Sequence, residues 1–225
     1  MPDNALAAQV MVIAKEPVPG RVKTRLTPPF TPAQAACVAE AAIGDTLAAV
    51  DGLRRFPGLG PVRPVLVLDG AVGPWLRTRI EVVPQATGAF DARLAAAFDA
   101  VDGPALLIGM DTPQVTPALL ADACRALAHA DAVFGPAADG GWWALGLRDP
   151  RHAAALRAVP MSTPTTGRLT WAALAARGLR VGALPVLRDV DGWADALAVA
   201  GLVPDGRFAR EVAALRHTLV PGGRR

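Results

Sequence analysis

The sequence predicts an α/β fold, with one mostly parallel β-sheet covered by helices on both faces. Three observations carry that expectation. Short β-branched runs alternate with longer Ala-rich stretches along the whole chain. The early runs are apolar throughout, as strands buried on both faces must be. No repeat and no linker divides the 225 residues, a length that suits one large domain.

Each element has a local reason. VMVIA at 10–14 is short, apolar and bounded by charge, so it reads as a buried strand. Residues 15–32 carry Pro17, Pro19, Pro28, Pro29 and Pro32 and read as loop. Thr31 caps the next helix, 33–50, with Pro32 at its first position. VRPVLVL at 62–68 is a second strand, and Pro64 marks either an edge strand or a strand start. A short strand at 80–83 and a helix at 89–101 follow. ALLIG at 105–109 is a fourth strand that runs into Asp111. Thr116 caps a helix reaching about residue 129. Strands at 132–135 and 142–147, a helix at 166–177, a strand at 181–186 and a helix at 192–200 complete the core. One more helical stretch precedes a PGGRR tail expected to be disordered. A single domain over 1–225 is expected, with its core at about 10–200 and the last helix and tail at 201–225.

Composition removes several classes. Apolar residues make up 52%, ample for a core, and the net charge is only +3, with an isoelectric point near 9.5. Nucleic-acid binding calls for a denser cationic face, so no nucleic-acid partner is expected. Cys37 and Cys124 fit neither a disulfide framework nor a zinc spacing, and both read as buried core thiols. Residues 1–9 lack the cationic start of a secretory signal. No segment reads as the roughly 20 apolar residues of a membrane span, which makes a cytoplasmic protein the expectation. His129, His152 and His217 lie in polar helical surroundings with no partner at catalytic spacing, and neither a Ser-His-Asp order nor a G-x-S-x-G elbow is present.

In a parallel sheet, ligands bind beyond the carboxyl ends of the strands, and four stretches stand there. After the first strand come Lys15, Gly20, Arg21, Lys23, Thr24 and Arg25, four cations offset only by Glu16. Stiffened by proline, such a loop suits phosphate: Arg grips its oxygens with a fork and Lys adds a point charge. It is not a Walker A loop, since the first glycine is missing and Arg21-Val22-Lys23 follows Gly20. A solvated charged loop is the alternative. Asp111 ends the fourth strand and either starts a turn or ligates a hard cation through oxygen. Asp139-Gly140-Gly141-Trp142 follows the fifth. It is a hairpin signal and also a place where backbone can approach a ligand. Arg188-Asp189-Val190-Asp191 follows the last strand. Alternation puts both carboxylates on one face, although Asp191 can also cap the next helix.

These stretches, AKEPVPGRVKTRL, GMDTP, GPAADGGWWALGL and DVDGWAD, occur in that order across residues 10–200. Together they resemble the bacterial radical-SAM/selenodomain-associated, arsenosugar-type glycosyltransferases. That family is similar to the phospholactate guanylyltransferases and belongs to the nucleotide-diphospho-sugar transferase (GT-A) superfamily. The resemblance implies a GT-A-like three-layer α/β/α fold with a mixed, mostly parallel sheet. It implies a nucleotide whose phosphates lie near Lys15, Arg21, Lys23 and Arg25, and Asp111 as a metal ligand. Gln85, Gly88 and Arg93 match a second family stretch, although Ala89-Phe90-Asp91 departs from its usual Asp-Leu-Gly. Trp142 stands where the family usually has Tyr, so no role of a phenol carries over.

The chemistry expected is charge stabilisation on phosphate oxygens. Mg²⁺ or Mn²⁺ would be held by Asp111 with Asp189 or Asp191. Lys23 would act on the diphosphate, Asp139 would position or deprotonate the acceptor, and Gly140, Gly141 and Trp142 would line its pocket. The first expectation is glycosyl transfer from a nucleotide-diphospho-sugar to a small-molecule acceptor. The alternatives are nucleotidyl transfer from an NTP to a small phosphorylated acid or sugar, and a non-catalytic nucleotide-binding domain.

Overall fold

A computed structural model describes residues 8–219. The tail expected to be disordered, and most of the stretch read as lacking a signal, lie outside the described residues. Seven strands form one sheet in the order β3-β2-β1-β4-β6-β5-β7. They are β1 (Ala8–Lys15), β2 (Val62–Asp69), β3 (Glu81–Pro84), β4 (Ala105–Gly109), β5 (Ala132–Pro136), β6 (Trp142–Leu147) and β7 (Val181–Ala183). Every strand is parallel to the others except β6, which runs antiparallel to both β4 and β5. The expected mixed, mostly parallel α/β sheet is therefore the fold.

β1 sits near the middle because both its faces are apolar. Val10, Val12 and Ala14 enter the core under α1 (Pro32–Gly52) and α3 (Pro117–Ala126). Met11 and Ile13 enter the opposite core, with Leu94 and Phe98 of α2 (Phe90–Asp99) and Leu174 of α4 (Thr166–Ala175). Burying a side chain such as Phe98 contributes about 1.5–3 kcal/mol. Outside this three-layer body, α5 (Trp193–Leu202) and α6 (Arg207–Leu219) pack on α1 through Val38, Ala42, Val199, Phe208 and Val212. Thr31 caps α1 through a reciprocal capping box with Gln34, and the Thr116 hydroxyl accepts from Leu119 N–H at 3.1 Å.

Several expectations change. Cys37 is exposed, while Cys124 is buried as expected. α1 is, by length and composition, apolar enough to cross a membrane, contrary to the reading of the sequence. Here 61% of its most apolar window is buried, because it is clad by the sheet on one side and α6 on the other. Pro64 is the third residue of β2, paired with Val10 of β1, and lies on a locally unpaired edge, since β3 pairs with β2 only from Val65 onward. The last strand stops at Ala183 rather than 186. Pro185 has no N–H to continue the ladder, and only a bridge between Ala137 and Leu187 remains beyond it. The 3₁₀ segment Pro150–Ala158, started by Asp149 accepting from Arg151 N–H, had no clear helical period in the sequence.

Candidate active site

The carboxyl ends of β1, β2, β4, β5 and β7 share one edge of the sheet, and the reversed strand β6 starts there. β1 and β4 are adjacent, which brings the loop after β1 beside Asp111. The loop turns at Gly20 (φ 78°) and again at Lys23 (φ 48°). A left-handed lysine costs of order 1 kcal/mol and needs support around it. That support is specific. Lys23 Nζ donates to the Asp111 carboxylate and to the Val190 carbonyl, and its side chain is only 5% exposed. Val190 N–H in turn donates to the Asp111 carbonyl at 2.9 Å. Arg25, largely exposed, pairs with Asp191. Lys15 ends β1 with an exposed side chain. Its backbone N–H meets Met110 Sδ at 3.2 Å.

The expected acids converge. Asp139, Asp189 and Asp191 each bring a carboxylate oxygen within 4.8 Å of the others. Asp139 Oδ1 accepts from Gly141 N–H at 2.7 Å, which fixes the hairpin tip. Asp189 is pushed up to about 6, first by burial and then by the negative charges of Asp139, Asp191 and Asp111; only its own backbone hydrogen bond pulls the other way. No cation pairs with Asp139 or Asp189 among the described residues. Three clustered carboxylates with so few partners fit a hard divalent cation, which takes oxygen donors. Asp111 stands beside this trio, held by Lys23.

On the other flank, Gln85 Nε2 donates to the carbonyls of Ala14 (2.8 Å) and Val67 (3.2 Å). Its Oε1 accepts from Arg93 Nη1 at 3.0 Å. Arg93 also reaches Asp69 at 3.3 Å, and Asp69 faces Arg21 at 3.8 Å. Gln85 and Arg93 thus knit β1, β2 and α2 together, while Gly88 (φ 109°) makes the turn between them. Thr24 opens the 3₁₀ turn Thr24–Leu26 and is exposed.

Between the flanks lies an open cleft of about 550 Å³ whose lining includes Arg25, Asp111, Asp139, Gly141, Trp142, Asp189 and Asp191. The tryptophans divide. Trp143 is buried, donates from Nε1 to Pro185 O at 2.9 Å and fills the space a side chain at Gly135 would need. Trp142 faces the cleft and packs near Phe134. Gly140 (φ 92°) lies so close to the Pro164 carbonyl that no side chain fits there, and its own carbonyl accepts from Gly167 N–H at 2.8 Å. The segment 161–166 is thereby pinned to the hairpin.

Sequence reading missed four contributors. Asp69 ends an apolar strand just as Asp111 nearly does, so the strand-end rule could have found it. Phe90, 41% exposed, stands in the cleft. The hydroxyl-rich MSTPTT run at 161–166 lines it too, and that composition was visible. Thr112, 2% exposed at the cleft, has a hydroxyl with no partner.

The fold is that of the nucleotide-diphospho-sugar transferase-like proteins. The chain is 26% identical to a Desulfovibrio desulfuricans G20 protein provisionally classed as a nucleotide-diphospho-sugar transferase, over 93% of this chain and 94% of that one, with a TM-score of 0.77. The same fold appears in a nucleotidyl transferase from Methanothermobacter thermautotrophicus (19% identity, 89% and 99% covered, TM-score 0.57). It also appears in Rv0371c from Mycobacterium tuberculosis H37Rv in complex with manganese (22% identity, 87% and 98% covered, TM-score 0.50). Residues 54–163 match the family described as "Uncharacterized protein conserved in bacteria (DUF2064)". No curated protein matches the chain.

Proposed function

We propose that this protein is a metal-dependent transferase that uses an activated nucleotide, moving a glycosyl group from a nucleotide-diphospho-sugar to a small-molecule acceptor. One observation carries the reading: at the strand ends a proline-stiffened cationic loop lies directly against a cluster of under-compensated carboxylates, and Arg25 and those acids line one cleft. The motif resemblance to the arsenosugar-type glycosyltransferases favours glycosyl over nucleotidyl transfer, as does the likeness to the Desulfovibrio protein.

Asp189 and Asp191 would hold Mg²⁺ or Mn²⁺, which when bound supplies positive charge to the diphosphate oxygens. Lys15, Arg21 and Arg25 reach the same phosphates from the loop, with Gly20 and Thr24 shaping it. Arg25 exchanges its partner Asp191 for phosphate. Lys23 keeps Asp111 and the 188–191 segment in register. Gln85, Gly88 and Arg93 hold the opposite bank. Asp139, the exposed member of the acid cluster, takes the proton of the acceptor. Its neighbours Gly140 and Gly141 let the acceptor approach, and Trp142 walls it.

A thermal-shift screen with UDP, GDP, CDP, dTDP and the four NTPs, each with and without Mn²⁺, tests this. A ligand at about 100 times its Kd stabilises by about 2.7 kcal/mol. The expected result is a metal-dependent rise of roughly 5–10 °C with one diphosphate. A rise confined to one triphosphate would turn the assignment to nucleotidyl transfer. No response to any nucleotide would remove it.

A further inference from the structure

We infer that the acceptor is an unphosphorylated small molecule with an apolar body and a nucleophilic hydroxyl, seated against Phe90, Trp142 and Met161. The inference rests on the glycosyl-transfer reading above and names the acceptor class for the same cleft. Its first ground is the division of the walls. The carboxylates and Arg25 stand on one side, while Phe90, Leu94, Trp142 and Met161 line the other. Leu94, Trp142 and Met161 belong to the core cluster under α2, so this wall is the core surfacing at the cleft. Phe90 at 41% exposure is a large apolar side chain left open there, and such exposure in a cleft marks a ligand surface more than a solvated one.

The second ground is charge. Arg25 is the one cation among the cleft's described lining residues, and it already pairs with Asp191. The metal and Arg25 are committed to the donor diphosphate, and Arg93, 5.2 Å from the Phe90 ring centroid, is already held by Asp69 and Gln85, so a phosphorylated acceptor beside Asp139 would meet a carboxylate and no uncommitted cation, an unfavourable like-charge contact. What the apolar wall offers in addition is hydroxyl. The Thr163 and Thr166 hydroxyls bond each other (3.2 Å), and Thr166 Oγ1 donates to Pro160 O (2.8 Å). These bonds lock the loop. The Ser162 hydroxyl makes no hydrogen bond among the described residues, and its left-handed backbone (φ 58°) presents it beside the cleft. Ser162 is thus suited to orient the polar end of an otherwise apolar molecule. In the transfer, the acceptor oxygen forms the new bond to the anomeric carbon. The bond from that carbon to the diphosphate oxygen breaks with its electron pair leaving on the diphosphate, and the acceptor proton goes to the Asp139 carboxylate.

Saturation-transfer NMR on the full chain with Mg²⁺ tests the assignment, using benzyl alcohol as the apolar hydroxyl probe and glucose 6-phosphate as the phosphorylated one. Benzyl alcohol should show ring-proton transfer that falls at least threefold in Phe90→Ala and returns in Phe90→Trp, with glucose 6-phosphate giving none. Phe90 is partly exposed, so these variants should fold, and their unchanged melting temperature verifies it. Glucose 6-phosphate competing with benzyl alcohol, or a signal indifferent to Phe90, would overturn the proposal. Displacement by uridine or guanosine would also overturn it, by giving the wall to the nucleobase. The Mn²⁺–nucleotide thermal shift on the same samples separates the two failures. If that shift persists while glucose 6-phosphate wins, only the acceptor class falls. If it is absent, the transferase reading falls with it.

Discussion

The two banks of the strand-end edge use the same residue types to opposite effect. On the β1–β2 bank, Arg21, Asp69, Arg93 and Gln85 form a chain in which each charge finds a partner. On the β4–β5–β7 bank, four carboxylates meet two cations: Lys23 takes Asp111 and Arg25 takes Asp191, while Asp139 and Asp189 keep none. The first arrangement is what stability alone would select. The second stores repulsion in the protein, and stored repulsion near a cleft marks function rather than folding.

The comparison breaks most sharply if the acid bank is neutralised. Asp189→Asn with Asp191→Asn should weaken Mn²⁺ binding by more than about 100-fold, read by electron paramagnetic resonance titration, whereas Asp69→Asn should leave it within a factor of two or so. Equal losses would erase the distinction between the banks. Asp139→Asn sharpens it further. Metal affinity should stay while turnover drops by roughly 10²–10⁴, and lost affinity would make Asp139 a metal ligand.

A smaller effect separates the two cations of the loop. Lys23→Ala strips a nearly buried ammonium from a half-exposed Asp111. Breaking a buried pair costs about 3–5 kcal/mol. With one partner half in water, about 2–3 kcal/mol is expected by urea unfolding. Arg25→Ala, at a 71%-exposed side chain, should cost under about 1 kcal/mol yet weaken nucleotide binding more. The reverse ranking would make Lys23 the phosphate ligand and Arg25 the structural one.

The smallest effect is a gain. The Asp189 carboxyl sits at about 6, above its ordinary 3.8, so between those values the native state holds a proton that the unfolded chain has lost. Stability therefore falls as pH rises through that window, and the full penalty stands above about pH 6. With chelator present, Asp189→Asn should add about 1–2 kcal/mol at pH 7.5, after allowance for solvent screening, and nothing near pH 4. Calorimetry at the two pH values reads it directly. An equal effect at both would show that the gain is not electrostatic.

Much of this was legible in the chain, and the rest was hidden for definable reasons. Strands with unbroken apolar runs, such as 105–109, identified the buried parallel sheet, and the rule of strand ends led to Asp111, Asp139, Asp189 and Asp191. Local signals such as Thr31-Pro32 placed helix starts. What could not be read was pairing at a distance. Lys23 meets Asp111 across 88 residues and the Val190 carbonyl across 167, and nothing near Lys23 marks it as a clasp rather than a phosphate hand. Cys37 looked internal because α1 is Ala-rich all round, so its pattern carries little information about which side faces water. Nothing in the sequence marked Phe90 as a cleft residue: hydrophobicity states a preference for burial, not the partner that supplies it.

The single reversed strand has one more consequence. Because β6 starts where its neighbours end, Asp139 rides on a turn whose two ends are both clamped in the sheet, three residues after Pro136 and three before Trp142. The loops after β1 and β4 lead into helices and can lengthen without disturbing a ladder. Lengthening the Asp139 turn would slip a register. Evolution or an engineer seeking new substrates would therefore find more freedom in the 16–31 segment, while the turn bearing Asp139 behaves as a fixed point about which the rest of the cleft can be retailored.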